Sequence, residues 1–171
     1  MEFSQYHAQF FTATILDWKH LLQEDKYKDI IVESLRFLVK EKRVTVYAFV
    51  IMSNHIHLVW QIQAGHKKEN VQRDFLKYTG QMIKFGLKQS NQGLLVAFAV
   101  NAKDRQYQFW ERNALSVDLF SEAVMFQKID YIHQNPVKAG LCDFPEKNKY
   151  SSAKFYETEI DDFGFLEHIR G

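Results

Sequence analysis

The sequence predicts an α+β fold, on three observations. Several segments of six to nine residues are rich in β-branched and aromatic side chains, two longer segments carry apolar residues at helical spacing, and the two kinds alternate along the chain. QFFTATIL, residues 9–16, reads as the opening strand. YKDIIVESLRFLVKEKR, residues 27–43, follows as a helix with Ile31, Leu35, Leu38 and Val39 on one stripe. VTVYAFVI (44–51) and HIHLVWQIQ (55–63) are two strands separated only by Met52, Ser53 and Asn54, and so form a hairpin, because Ser and Asn supply turn chemistry. A helix is expected over roughly 70–88, with Gly80 as the place where it could break, and the apolar run LLVAFAV (94–100) is expected to be a strand. Ser121 suits the N-cap of a further helix that places Met125, Ile129 and Ile132 on one stripe and is expected to end at Pro136.

Composition bounds the rest. A chain of 171 residues, 46% apolar and 15% aromatic, can bury a core as a single domain spanning residues 1–171. Two prolines, seven glycines and no fixed repeat argue against linkers and arrays. The longest apolar run is far too short to span a membrane, and MEFSQYHAQFF lacks the basic and apolar regions of a signal peptide, so a cytoplasmic protein without a membrane partner is expected. One cysteine, Cys142, excludes an internal disulfide and a cysteine-rich zinc site.

A formal charge of +1 conceals an uneven distribution. Residues 64–112 hold nine Lys or Arg against four Asp or Glu, whereas residues 113–171 hold six against ten. The basic middle could build a phosphate-binding face from Lys77, Lys84, Lys88, Arg105 and Arg112, with Trp110 as an aromatic surface for a base; an ordinary solvated face is the competing explanation, and Trp110 also suits a core.

The segment MSNHIHLVW, residues 52–60, raises the sharpest question. Alternate side chains of a strand share a face, so His55, His57 and Val59 point one way and Ile56, Leu58 and Trp60 the other. Two imidazoles on one face either pay twice for burying ring nitrogens or hold something, and a metal ion is the natural candidate.

YAFVIMSNHIHLVWQ resembles the HUH motif, His, bulky apolar residue, His, of the single-tyrosine transposases, the insertion-sequence enzymes that include the REP-associated tyrosine transposases. KIDYIHQNPVKAGL, residues 128–141, is similar to the helix that carries that family's nucleophilic tyrosine, and QFFTATILDW, FWERN and KYSSAKFY fall in the family's order. The resemblance implies a ferredoxin-like antiparallel sheet with helices on one face, the histidine pair on a sheet strand and the tyrosine on a C-terminal helix facing it. It implies Tyr131 as nucleophile toward a phosphorus of single-stranded DNA flanking a hairpin, with a 5′-phosphotyrosyl link that is later rejoined. It also implies a divalent ion, Mg²⁺ or Mn²⁺, held by His55, His57 and an amide one turn after the tyrosine, which is Asn135 here with Gln134 as the fallback. No nucleotide cofactor is implied. Relatives act as homodimers or as monomers. Two other readings of the same residues are a DNA-binding protein without strand transfer, and a metal-dependent nuclease that uses water. His133 points about 200° from Tyr131 on a helix and is left out of the site. One departure stands out: Ala114 follows Asn113 where many relatives carry a histidine.

Overall fold

A computed structural model describes residues 7–171. The chain runs β1 (Ala8–Thr14), α1 (Asp25–Lys40), β2 (Val44–Ile51), β3 (His55–Ile62), α2 (Lys68–Ser90), α3 (Gln92–Val96), β4 (Leu115–Leu119), α4 (Glu122–Lys138) and α5 (Ala153–Thr158), with short 3-10 turns between. The four strands form one antiparallel sheet in the order β2-β3-β1-β4. That order, reached by strand, helix, hairpin, helix and strand, is the ferredoxin-like topology. No helix among the described residues is long and apolar enough to cross a membrane.

The alternation of side chains divides the sheet into two working faces. Phe11, Ala13 and Ile15 of the first segment join Ile56, Leu58 and Trp60 of β3 beneath α1 and α2. Helix α1 seals them with Ile31, Leu35 and Leu38, and α2 with Val71, Phe75, Ile83 and Leu87, which recur every four residues or multiples of four along one ridge. Phe10, Ala48, Val50 and Val59 point to the opposite face and are covered by Ile129 and Ile132 of α4. Burying each such side chain contributes on the order of 2 kcal/mol. Helices α1 and α2 therefore share one face, while α4, with Tyr156 of α5 at its side, crosses the other, the face to which His55 and His57 belong.

Local chemistry explains most boundaries. Ser121 Oγ accepts the Val124 N–H and caps α4, as its position suggested. The hairpin closes through Met52 N–H to His55 O at 2.9 Å.

Four features depart from the sequence reading. The run at 94–100 is not a strand: its first half is α3, capped by Asn91 Oδ1, which accepts the Leu94 N–H at 3.0 Å. Leu95 and Phe98 then pack into the main core, so an apolar run without periodicity is settled by its cap and its packing. Helix α2 passes unbroken through Gly80, which faces Phe109 and Trp110. Pro136 lies inside α4, and the helix continues to Lys138; only the Pro136 N–H is lost, while Ala139 N–H still reaches Asn135 O at 3.0 Å. Strand β4, which the sequence reading missed, pairs with β1 from Ala8↔Leu119 to Thr12↔Leu115.

Candidate functional site

Strand register and helix period bring the predicted residues together from positions up to 80 residues apart. His55 and His57 sit on β3 opposite Thr14 and Thr12 of β1, with ring centroids 4.8 Å apart. Helix α4 crosses this face, and its residues 128, 131, 135 and 138 share one side by the three-and-four spacing of a helix. Tyr131 places its ring 5.5 Å from that of His57, edge to face, and is 44% exposed. Asn135 Oδ1 lies 3.1 Å from His55 Nε2. Of the two amides weighed for the third ligand, Asn135 is the one that makes this contact.

The hydrogen bonds determine which ring nitrogen is available. His55 Nδ1–H donates to Asn54 Oδ1 at 2.7 Å, so His55 Nε2 carries a lone pair. That lone pair faces the Asn135 carbonyl oxygen, and two acceptors at 3.1 Å have no proton to share. A cation between them resolves the conflict, because neighbouring ligands about 2.1 Å from a six-coordinate ion stand about 3 Å apart. His57 Nδ1 pairs with Thr12 Oγ1 at 2.7 Å, and a proton on that Nδ1 would leave Nε2 to act with that of His55. Burial pushes His57 down to about 3, the neighbouring His55 adding to the effect, and burial also lowers His55 against the opposing contact from Asn135. Both rings are thus neutral near pH 7, the form a metal ion needs. Among the described residues no three His, Cys, Asp or Glu side chains cluster, and the third polar group at this pair is the Asn135 amide. The residues present fit a divalent ion.

The surroundings of the tyrosine were not read from the sequence. Phe10 stacks on His57 at 5.3 Å and meets Tyr131 edge-on at 6.0 Å, fixing both rings from below. Lys138 Nζ stands 6.0 Å from the Tyr131 ring, and Lys128, on the same helix face, places its Nζ 5.0 Å from the ring of Phe10, which itself meets Tyr131. The signal was available, since both lysines lie at i−3 and i+7 from Tyr131. Thr12 offered no such signal, because cross-strand register is not written in either strand alone. His133 turns away, as expected: it is buried, its Nε2 pairs with Ser152 Oγ at 2.7 Å, and burial lowers it to about 4.

The basic middle of the chain forms a separate groove of about 850 Å³ between α2 and residues 104–112. Lys77, Lys84, Arg105 and Arg112 line it, joined by Arg73, against the acids Asp104 and Glu111. Lys88 lies one turn beyond Lys84, outside the lining. Trp110 also borders the groove, but it is only 7% exposed, belongs to the main core, and its indole N–H donates to Thr79 Oγ1 at 3.1 Å. Its size and apolar ring are satisfied by the space beneath α2. Asn113, just before the departing Ala114, adopts φ 61°, a left-handed turn that asparagine tolerates.

No protein-family profile and no curated protein matches the chain. Solved structures do. A REP-associated tyrosine transposase, solved with a REP hairpin bound, superposes with a TM-score of 0.68 at 14% identity, covering 96% of this chain and 88% of that one. A candidate transposase from Deinococcus radiodurans R1 superposes with a TM-score of 0.51 at 13% identity, covering 75% of this chain and 90% of that one. At such identities the likeness is one of fold, and it agrees with the resemblance carried by the histidine and tyrosine motifs: this chain folds as a REP-associated tyrosine transposase does.

Proposed function

We propose that this protein is a metal-dependent, single-tyrosine DNA strand transferase that nicks single-stranded DNA beside a hairpin and rejoins it, residues 1–171 acting as one HUH-type domain. The observation that carries this reading is the convergence of His55, His57, Asn135 and Tyr131 on one face of the sheet, two of them from β3 and two from α4.

The chemistry follows from those positions. Tyr131 Oη attacks a backbone phosphorus in line, the new P–O bond forms to the phenolic oxygen, and the bond from phosphorus to the 3′ oxygen breaks. The phenolic proton is lost and the departing 3′ oxygen gains one, leaving a 3′-OH strand and a 5′-phosphotyrosyl link. Because that link conserves the phosphodiester, attack by another 3′-OH reverses the step without ATP. Lys138, beside the Tyr131 ring, and Lys128, one turn before Tyr131 and over Phe10, would place positive charge where the phosphate enters. His55, His57 and Asn135 would hold a Mg²⁺ or Mn²⁺ ion, which supplies Lewis-acid neutralisation of charge on the phosphate oxygens. Asn54 holds His55 in the required tautomer, and Thr12 orients the ring of His57 through its Nδ1. Phosphates of the flanking strand fit the groove of Lys77, Lys84, Arg105 and Arg112, which a neighbouring hairpin would extend toward Lys88.

The test is a cleavage assay on single-stranded DNA with candidate hairpins and Mn²⁺, read as an SDS-resistant protein–DNA band. The band and the nick should both vanish with Tyr131→Phe. Nicking that survives Tyr131→Phe but is lost in His57→Ala would assign a water-using nuclease instead, and DNA binding with neither nick nor band across hairpin libraries would assign a binding protein.

A further inference from the structure

The chain has three tryptophans, and two of them are accounted for as core: Trp60 is fully buried and Trp110 is nearly so. Trp18 is 61% exposed. Its ring lies 6.2 Å from that of His55, edge to face, at the margin of the candidate metal site. We propose that Trp18 is the platform on which the nucleobase next to the scissile phosphate stacks, a role that rests on the strand-transfer reading above.

The backbone holds the indole there against its own preference. Asp17 and Trp18 are consecutive non-glycine residues in the left-handed region, at φ 55° and 56°, where a bulky side chain is rarely found. The turn is clamped on every side. Ile15 N–H donates to Asn54 O at 2.9 Å, Leu16 N–H to Phe109 O at 2.8 Å, and Trp18 N–H to Ile15 O at 2.9 Å. Asp17 N–H donates to Glu111 Oε1 at 2.7 Å, and Lys19 Nζ is anchored on Ala97 O at 2.7 Å. One clamp therefore ties the turn to the loop that positions His55, and another to the wall of the cationic groove, since Glu111 lines that groove. Through Asp17 the turn is joined to the groove wall, and through its ring contact with His55 to the histidines, so the indole lies between the two. A flat, apolar, exposed ring next to a cationic groove is complementary to a nucleobase, whose π face stacks while its phosphates bind the cations, and such stacking tolerates any base.

The test uses short oligothymidylate and an abasic strand of equal length as probes, without cleavage. Stacking quenches indole emission, and with Trp60 and Trp110 buried the change reports on Trp18. Wild-type emission should fall with oligothymidylate and not with the abasic strand, and Trp18→Ala should remove the quench. Trp18→Ala should weaken oligothymidylate binding by about five- to 150-fold, with Trp18→Phe close to wild type. Trp18→Gly separates binding from folding: its melting temperature should hold or rise, because glycine relieves the left-handed strain, while its affinity falls. Equal affinity of wild type and Trp18→Ala, or a lowered melting temperature in Trp18→Gly with affinity unchanged, overturns the proposal and leaves strand transfer standing. Failure of the wild type to bind oligothymidylate at all overturns both.

Discussion

His55 and His57 each commit Nδ1 to the protein, one to Asn54 and the other to Thr12, and it is this shared choice that makes their remaining nitrogens a pair. Removing an outer partner should therefore weaken a metal ion without touching its ligands. Asn54→Ala and Thr12→Val are each expected to lower Mn²⁺ affinity by about 10- to 100-fold, measured by calorimetry or by the EPR signal of free Mn²⁺. An unchanged affinity in both variants would show that the imidazoles are not oriented by these contacts. The histidine pair was legible in the sequence because a period of two needs only one strand. Asn135 came from the family resemblance, with Gln134 left open, and the structure distinguishes the two by the contact of Asn135 with His55. Thr12 was not legible, since its partnership with His57 exists only through the pairing of β1 with β3. Trp110 was ambiguous for a different reason: an aromatic ring beside basic residues looks the same in sequence whether it stacks on a base or fills the space under α2, and here it is buried there, donating to Thr79 at the border of the groove. Trp110→Phe should cost about 1 kcal/mol of unfolding free energy for the lost hydrogen bond, leaving DNA affinity unaltered; a loss of affinity at constant stability would restore its binding role.

Helix α4 is the element on which the site depends, because it carries Tyr131 and Asn135 and supplies Ile129 and Ile132 to the cluster on its sheet face. Ile132 is fully buried in that contact, so Ile132→Ala should destabilise by about 2–5 kcal/mol in chemical denaturation, whereas Ser121→Ala at the cap should cost about 1 kcal/mol. A smaller loss at Ile132 than at Ser121 would mean that α4 is held by its end and not by its face. The helix was readable because an N-cap and a 3.6-residue stripe agree. The same rule explains the failures. LLVAFAV has no period to read, so Asn91 capping and the burial of Leu95 decided its fate. Pro136 was read as a stop, yet near the last turn it removes one donor from a helix already held by Ile129 and Ile132. Strand β4 does alternate, but its Leu115 and Val117 are exposed at a sheet edge, where apolar alternation is a weak guide to burial.

At the scale of the molecule, the sheet separates two tasks: α1 and α2 bury the main core on one face, and α4 presents the candidate chemistry on the other. The basic groove formed by α2 and residues 104–112 should bind strands electrostatically. Lys77→Ala and Arg112→Ala are each expected to reduce the slope of log affinity against log salt by about 0.7 on single-stranded DNA, and an unchanged slope would place the strand elsewhere. The central claim, that Tyr131 is the nucleophile, is tested most directly by digesting the SDS-resistant adduct with protease and nuclease and mapping the modified peptide by mass spectrometry. The expected result is a 5′-phosphate-linked nucleotide on Tyr131, with no adduct from Tyr131→Phe; a nucleotide on any other residue would contradict it.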